Sequence, residues 1–317
     1  MFTYVIRRIG FLLLTVVLTS VIVFAITQVL PGDVCRVIMG REVGEAVLAE
    51  CRQSLGLDRP LVARYVNWLV DLARGDWGTS FATNTEIRPQ VMGRVRNSLM
   101  LALVTLIIAV PISVSLGLIA GFNSGKPIDT AISISSLAVV GLPEFVTGII
   151  LIEVFGHRLG WLPPNSSIRA GTGLFEALPS LILPALTATL VLLAYVARLT
   201  RAGIIEELKR PYVRTAVLKG LNIRSVMVKH VLRNAMLPTI TVLAISFGWL
   251  ISGLIVIENV FNYPGLGRLL TFAIDRRDLP LVQSITMVTV LGFAGANLIA
   301  DLLYSYLNPR IRVGNRE

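Results

Sequence analysis

Few side chains in this sequence could do chemistry, and their spacing argues against the common kinds. A phosphate-cradling loop needs G-x-x-x-x-G-K-[ST] after a strand, so that amides and a lysine face the phosphates and a hydroxyl meets magnesium. Gly121-Phe-Asn-Ser-Gly125-Lys126-Pro127 comes nearest, but its spacing is one residue short and proline replaces the hydroxyl. It reads as a short turn between apolar stretches. His157 and His230 fall on opposite sides of the membrane spans described below, so they cannot share a metal. G-x-S-x-G is absent, and no soluble stretch is large enough to house hydrolysis. Catalytic, cofactor-binding and metal sites are therefore not expected in the chain. Glu144, Glu153 and Asp301 lie within or at the ends of apolar runs, where burying an unpaired carboxylate is costly, so each is a functional candidate. Glu144 follows Gly141-Leu-Pro143 in mid-run, where freed backbone can line a translocation path. Glu153 and Asp301 stand near run ends, where solvated or helix-capping roles are ordinary.

The elements that must position these groups follow from composition. Of 317 residues, 54% are hydrophobic and 15% charged, against a charged share of about a quarter in soluble domains. A bilayer core of about 30 Å needs roughly 20 apolar residues per helix. Six runs qualify: Ile9–Leu30, Leu99–Ala120, Thr130–Phe155, Leu178–Val196, Thr239–Ile257 and Val282–Leu307. They lack the alternation of a membrane barrel, which predicts an all-α membrane protein. Pro111, Pro143 and Pro184 fall inside three runs, as kinks around a path or as ordinary packing kinks.

The net charge of +10 does not imply nucleic acid, because its placement follows the membrane. Six spans put both termini on one side, with Arg7, Arg8, Lys126, the basic residues of 198–233, Arg310, Arg312 and Arg316. The segment 31–97 is too long for the positive-inside rule; once it is set aside, basic residues favour that side, which predicts cytoplasmic termini. The first run is longer than a signal-peptide core and is expected to be retained.

In the external segment, Val43–Leu55 and Leu61–Ala73 read as helices, the second with Leu61, Tyr65, Trp68 and Leu72 in a stripe that packs on the membrane surface or on the bundle. Gly75-Asp-Trp-Gly-Thr-Ser-Phe81 is turn-rich with interfacial aromatics. Cys35 and Cys51 share this segment; an oxidising compartment permits a disulfide, and two free thiols remain an alternative.

The segment 198–237 is a long basic excursion, read either as a loop on anionic lipid or as a docking knob. Pro211 can open a helix, Tyr212, Thr215, Ala216 and Lys219 follow at helical spacing, and Gly220 can supply a left-handed cap. Asn222 can cap a second helix with Ile223, Val226, Met227 and Val231 as an apolar stripe.

Tyr212-Val-Arg214-Thr215-Ala216-Val-Leu-Lys219-Gly220, followed by His230-Val-Leu-Arg-Asn-Ala-Met-Leu-Pro238, resembles the coupling-loop motif of binding-protein-dependent ABC importer permeases, in the dipeptide, oligopeptide and nickel branch. Further matches run in the family's order: Leu55-Gly-Leu-Asp-Arg-Pro60, Gly75-Asp-Trp-Gly-Thr-Ser80, Leu159-Gly-Trp-Leu-Pro163, Ile257-Glu-Asn-Val-Phe-Asn-Tyr-Pro-Gly-Leu-Gly-Arg268 and Asn308-Pro-Arg-Ile-Arg312. Asn308 stands where the family commonly has aspartate, and the cysteine pair lies outside its pattern. The resemblance implies a type I ABC importer permease fold in the bacterial inner membrane. It also implies a second homologous permease subunit, two cytoplasmic ATPases that bind ATP and magnesium, and an extracytoplasmic solute-binding protein. Tyr212, Arg214, Thr215, Ala216, Lys219 and Gly220 would form the coupling helix. Trp77, Trp161, Tyr263 and Arg268 could meet the receptor, or simply belong to an interfacial aromatic belt. The chain would then be a single permease domain: residues 1–30 the first span, 31–97 external, and 98–317 a five-span core with the coupling loop 198–237. Peptides are the expected cargo; nickel complexes, glutathione or opines remain open, and a proton-coupled carrier is the alternative from another class.

Overall fold

The computed structural model of the protein describes residues 2–29, 34–39, 43–54 and 56–307. The motif Asn308-Pro-Arg-Ile-Arg312, the cations Arg310, Arg312 and Arg316, Leu30 at the end of the first run, and Leu55 lie outside the described residues. In chain order the helices are α1 (Phe2–Val29), α2 (Val34–Met39), α3 (Glu45–Ser54), α4 (Leu61–Arg74), α5 (Ile87–Phe122), α6 (Pro127–Val140) and α7 (Glu144–Leu151), which continues as a wider π-type helix over Ile152–Arg158. Then follow α8 (Leu174–Leu208), α9 (Pro211–Leu218), α10 (Ile223–Val226), a π-type turn (Met227–Val231), α11 (Leu232–Gly253), α12 (Ile255–Val260), α13 (Leu266–Asp275) and α14 (Leu279–Leu307).

Five continuous stretches are long and apolar enough to span: Val5–Gln28, Ile87–Phe122, Leu174–Leu208, Ile223–Ile251 and Leu279–Leu302. The third expected span, Thr130–Phe155, is not one helix: Pro127–Val140 and Glu144–Arg158 meet at a 100° bend. Proline explains the break, because Pro143 has no N–H to donate and pushes Leu142 out of the helical region. Pro143 itself adopts ψ 139° and Glu144 starts the new helix. By contrast Pro111 and Pro184 lie inside unbroken helices. The second span starts earlier than its apolar run, since α5 begins at Ile87. The segment after the first span therefore gives way to helix a few residues after Phe81, where Thr79 and Glu86 form an isolated antiparallel bridge.

The bundle is held by close backbone approach as much as by bulk. Helices in lipid gain little from apolar burial against each other, so small residues that bring backbones together carry the packing. On α5, a methyl group at Gly117 would sit 2.6 Å from Thr200 Cβ and 2.7 Å from the Ala197 carbonyl oxygen of α8. One at Gly121 would sit 2.8 Å from Ile204 Cβ. Gly203 of α8 faces α11 in the same way, 2.6 Å from the Ala235 carbonyl oxygen. Thr200 and Thr239 hydroxyls pair at 3.2 Å across that contact. The α5, α8 and α11 helices thus form a tightly packed three-helix joint directly above the loop of interest.

The last helix ties the first into the bundle. Gln283 donates to Thr27 Oγ1 at 2.7 Å, both buried, and Arg8 pairs with Asp301 at 2.8 Å. Asp301 is therefore an ion-pair partner at its span end. Helix α4 lies on α1 through Phe24, Tyr65 and Trp68, whose rings meet edge-on or tilted at 5.4–6.1 Å, and through the Ser20–Tyr65 hydroxyl pair. Of the expected stripe, Tyr65 and Trp68 pack on the bundle while Leu61 stays exposed. Cys35 and Cys51 are joined, with Cα atoms 5.9 Å apart, pinning α2 to α3.

Candidate functional site

Helix α9 hangs below the joint on a short, braced hinge. Lys209 closes α8, and Arg210 adopts an extended conformation (φ −66°, ψ 140°) before Pro211 opens α9. Arg210 binds both Glu206 (3.0 Å) and Glu207 (3.6 Å), which fixes the turn between the helices. Proline at the first helical position costs nothing, since its missing N–H would be unpaired there anyway. At the other end Gly220 takes φ +79°, a left-handed conformation that a side chain would resist. Its N–H donates to Val217 O at 2.9 Å, and Asn222 Oδ1 accepts from Arg224 N at 2.9 Å to start α10.

The two faces of α9 do different work. Val213 is buried among Ile204, Val226, Val231 and Ala235, with Tyr212 and Ala216 packed against that cluster. The Tyr212 hydroxyl donates to Glu207 Oε2 at 2.7 Å, and burial raises its pKa above the ordinary phenol value. Tyr212 and Ala216, each partly buried, thus also fasten α9 to the cluster at its root. The outward face carries Arg214, Thr215, Lys219 and Gly220, together with Val217 and Leu218, all exposed. Leu218 is 78% exposed, and Leu221, Ile223 and Val228 continue an uncovered apolar patch. The sequence pattern did not single out Val217 or Leu218. Their signal was an apolar pair at a helix end that no amphipathic stripe accounts for.

A second missed element braces the same region. Asp129, 3% exposed at the start of α6, accepts both arms of Arg201 from α8, the Nη2 bond at 2.7 Å. It also accepts from Gly125 N at 3.0 Å. A two-pronged Arg–carboxylate pair fixes orientation as well as distance. The short turn after α5 is thereby fastened to α8 just above α9. Asp129 stands in the first turn of α6, 72 residues before Arg201, a separation over which no sequence pattern marks the pair.

Glu144 begins α7 at the bend and is partly exposed. With Val139, Val140, Leu142, Thr147 and Val191 it lines a cavity of about 200 Å³. Glu153 is exposed and pairs with Arg158 at 3.0 Å.

On the opposite membrane face, Trp161 is 69% exposed. Trp77 is half-buried and packs against the buried cluster that includes Ile87, Val91 and Leu266. Tyr263 is fully buried, its hydroxyl donating to Asn97 O at 2.7 Å, so it has no surface to offer a docking protein. Arg268 is partly buried and donates to Asn262 O at 2.6 Å. Beneath them lies Glu258, 1% exposed, one residue past the apolar run Thr239–Ile257 and so not marked by run position as a buried acid. Its carboxylate accepts from Ser98 Oγ at 2.6 Å and Arg268 N at 3.0 Å. Side chains are excluded above it, since a methyl group at Gly265 would lie 2.0 Å from Glu258 Oε1. Burial pushes the Glu258 carboxyl up to about 7 despite those hydrogen bonds. Among the described residues, no group of three His, Cys, Asp or Glu is placed to hold a metal ion.

Residues 113–313 match the family "Binding-protein-dependent transport system inner membrane component", and residues 1–117 match its N-terminal companion. The chain is 37% identical to the glutathione transport system permease protein GsiC of Escherichia coli K12 over 312 residues, covering 98% of this chain and 99% of that one. It is 34% identical to the "Probable peptide ABC transporter permease protein y4tP" of Sinorhizobium fredii over 309 residues, covering 98% and 99%.

Proposed function

The chain belongs to the family of inner membrane components of binding-protein-dependent transport systems, and on that premise we propose that it carries di- or oligopeptides and is driven through α9. It is a permease subunit of an ABC importer in the inner membrane. The peptide cargo is supported by the relatives named for peptide and glutathione transport. Glutathione itself, nickel complexes and opines are the neighbouring alternatives.

In this reading both termini and α9 are cytoplasmic. A second permease completes the path, two ATPases bind ATP and magnesium, and an extracytoplasmic receptor delivers the solute. ATP binding draws the ATPases together, α9 moves with them, and the bundle alternates between outward- and inward-facing states. The observation that carries this is the uncovered apolar tip of α9 on a rigid mount. The tip is exposed at Leu218, while its root is fixed by Val213, by the Arg210 pairs and by Gly203 against Ala235. A rigid arm transmits displacement; a lipid-bound loop would not need one. Glu144 faces its cavity at the bend, where a hinge in the third span can line the path. Trp161 is the best-presented receptor contact.

Cysteine scanning tests the reading. A cysteine at Leu218 or Lys219 should cross-link to an ATPase subunit and be labelled only from the cytoplasm, while one at Trp161 should be labelled only from outside. Labelling of both from one side, or no cross-link from any α9 position, would overturn it.

A further inference from the structure

Helix α6 is fastened to the bundle mainly at its base. Along its 14 residues only Asp129 and Ser136 are buried, while Ile128, Ile134, Leu137 and Val140 stay exposed. Asp129 lies in the first turn, where its carboxylate accepts both arms of Arg201 and the Gly125 N–H. Ser133 Oγ, one turn further on, lies 3.5 Å from the same carboxylate. One acidic group therefore ties together α8, the turn before α6 and α6 itself.

Arg201 stands on the part of α8 that carries α9. It precedes Ile204 by about one turn, and Ile204 is buried with Val213 of α9 in the cluster at the root of the arm. Phe122, the last residue of α5, packs against that cluster as well. The root of α9, the end of α8 and the base of α6 thus meet at one place. At its other end α6 stops: the chain bends by 100° and α7 begins at Glu144, beside the cavity that Glu144 lines.

A two-pronged guanidinium–carboxylate pair fixes angle as well as separation, so it can pass on a tilt. Val140 stands 11 residues beyond Asp129. That is about 17 Å of helix, so a tilt of about 10° at the base carries the bend through about 3 Å. The pair also resists opening, because the Asp129 side chain is only 4% exposed and parting it from Arg201 would leave a buried charge uncompensated. We propose that the Asp129–Arg201 pair is the joint that passes the movement of α9 to the bend between α6 and α7, and that it stays closed throughout the transport cycle. This rests on α9 being the element the ATPases drive. Asp129 and Arg201 are then positioning residues, acting through the bend rather than on the solute.

The test reads solute imported per ATP hydrolysed, in proteoliposomes holding this permease, its partner permease, the ATPases and the receptor. A pair that served only to stabilise the fold would lower uptake and hydrolysis together and leave that ratio unchanged. Arg201→Lys keeps the charge but gives up the second arm, and the ratio should fall about fivefold. With Asp129→Cys and Arg201→Cys combined the ratio should also be low, and a short bis-methanethiosulfonate bridge between the two thiols should raise it again. Cys35 and Cys51 are joined to each other and do not compete for the reagent. An unchanged ratio in Arg201→Lys, or a bridge that stops the remaining uptake, would overturn the proposal. Leu218→Asp in the same assay separates the two readings: full uptake there removes α9 as the driven element, whereas an unchanged ratio in Arg201→Lys alone removes only the joint.

Discussion

Replacing Leu218 with alanine should uncouple this permease from its ATPases while leaving its fold intact. Leu218 is 78% exposed in the isolated chain, at the end of α9 and next to the left-handed Gly220. Removing an exposed side chain changes folding stability by less than about 0.5 kcal/mol. Burying a leucine fully in a partner's groove stabilises by about 1.5 to 3 kcal/mol, so truncation to alanine should cost association roughly 2 kcal/mol, or about 30-fold in affinity. Leu218→Asp should cost more, because a charge would be buried without a partner. The assay is titration of the ATPase subunits onto nanodisc-embedded permease by biolayer interferometry, with thermal unfolding in parallel. Val213→Ala is the contrasting control, since Val213 is buried in the root of the arm and its loss should lower the melting temperature. Unchanged ATPase affinity in both Leu218 variants would refute the argument that the apolar tip is the grip.

Three further outcomes follow from the brackets around the bundle. Because burial holds Glu258 near 7 rather than at 4.5, the folded chain keeps a proton that the unfolded chain has released over that range; stability should therefore fall as pH rises from 4.5 to 7. Glu258→Gln should flatten that slope in melting curves, and a wild-type profile already flat across it would contradict the burial argument. Asp129→Asn leaves Arg201 without its carboxylate and should destabilise by about 3 kcal/mol, whereas adding Arg201→Gln should recover part of the loss; additive losses in thermal melts would refute the coupling. Alkylation without reductant should leave Cys35 and Cys51 unmodified, and reduction should expose both and loosen α2 from α3, as peptide mass spectrometry would show.

Apolar run length and punctuation made most of the spans and the whole α9 hinge legible in the sequence. Pro211, Gly220 and Asn222 each carry a local conformational meaning, and each stands where that meaning required. Pairings between distant segments were not legible. Asp129 with Arg201, Glu258 with Ser98, and Gly203 with Ala235 join residues whose types are unremarkable until the fold brings them together. Pro143 shows the middle case, because its residue type predicts a disturbance but not whether the result is a kink, as at Pro111, or a 100° turn. Aromatic residues misled in one instance: Tyr263 shares a motif with surface turns, yet its ring fills the interior and its hydroxyl serves the backbone of α5. The exposure of Leu218 is not legible in the sequence, because an apolar residue next to a buried stripe has the same pattern as a member of it, and only the packing of Val213 separates the two faces of α9.

In the proposed mechanism this chain moves solute only when ATPases drive it. Proteoliposomes holding the permease, its partner permease and the ATPases, with receptor and labelled dipeptide outside and ATP inside, give the direct measurement. Uptake should require enclosed ATP, be abolished by Leu218→Asp, and not be restored by an imposed proton gradient in place of ATP. Uptake by the permease without ATPases, driven by the gradient, would contradict it.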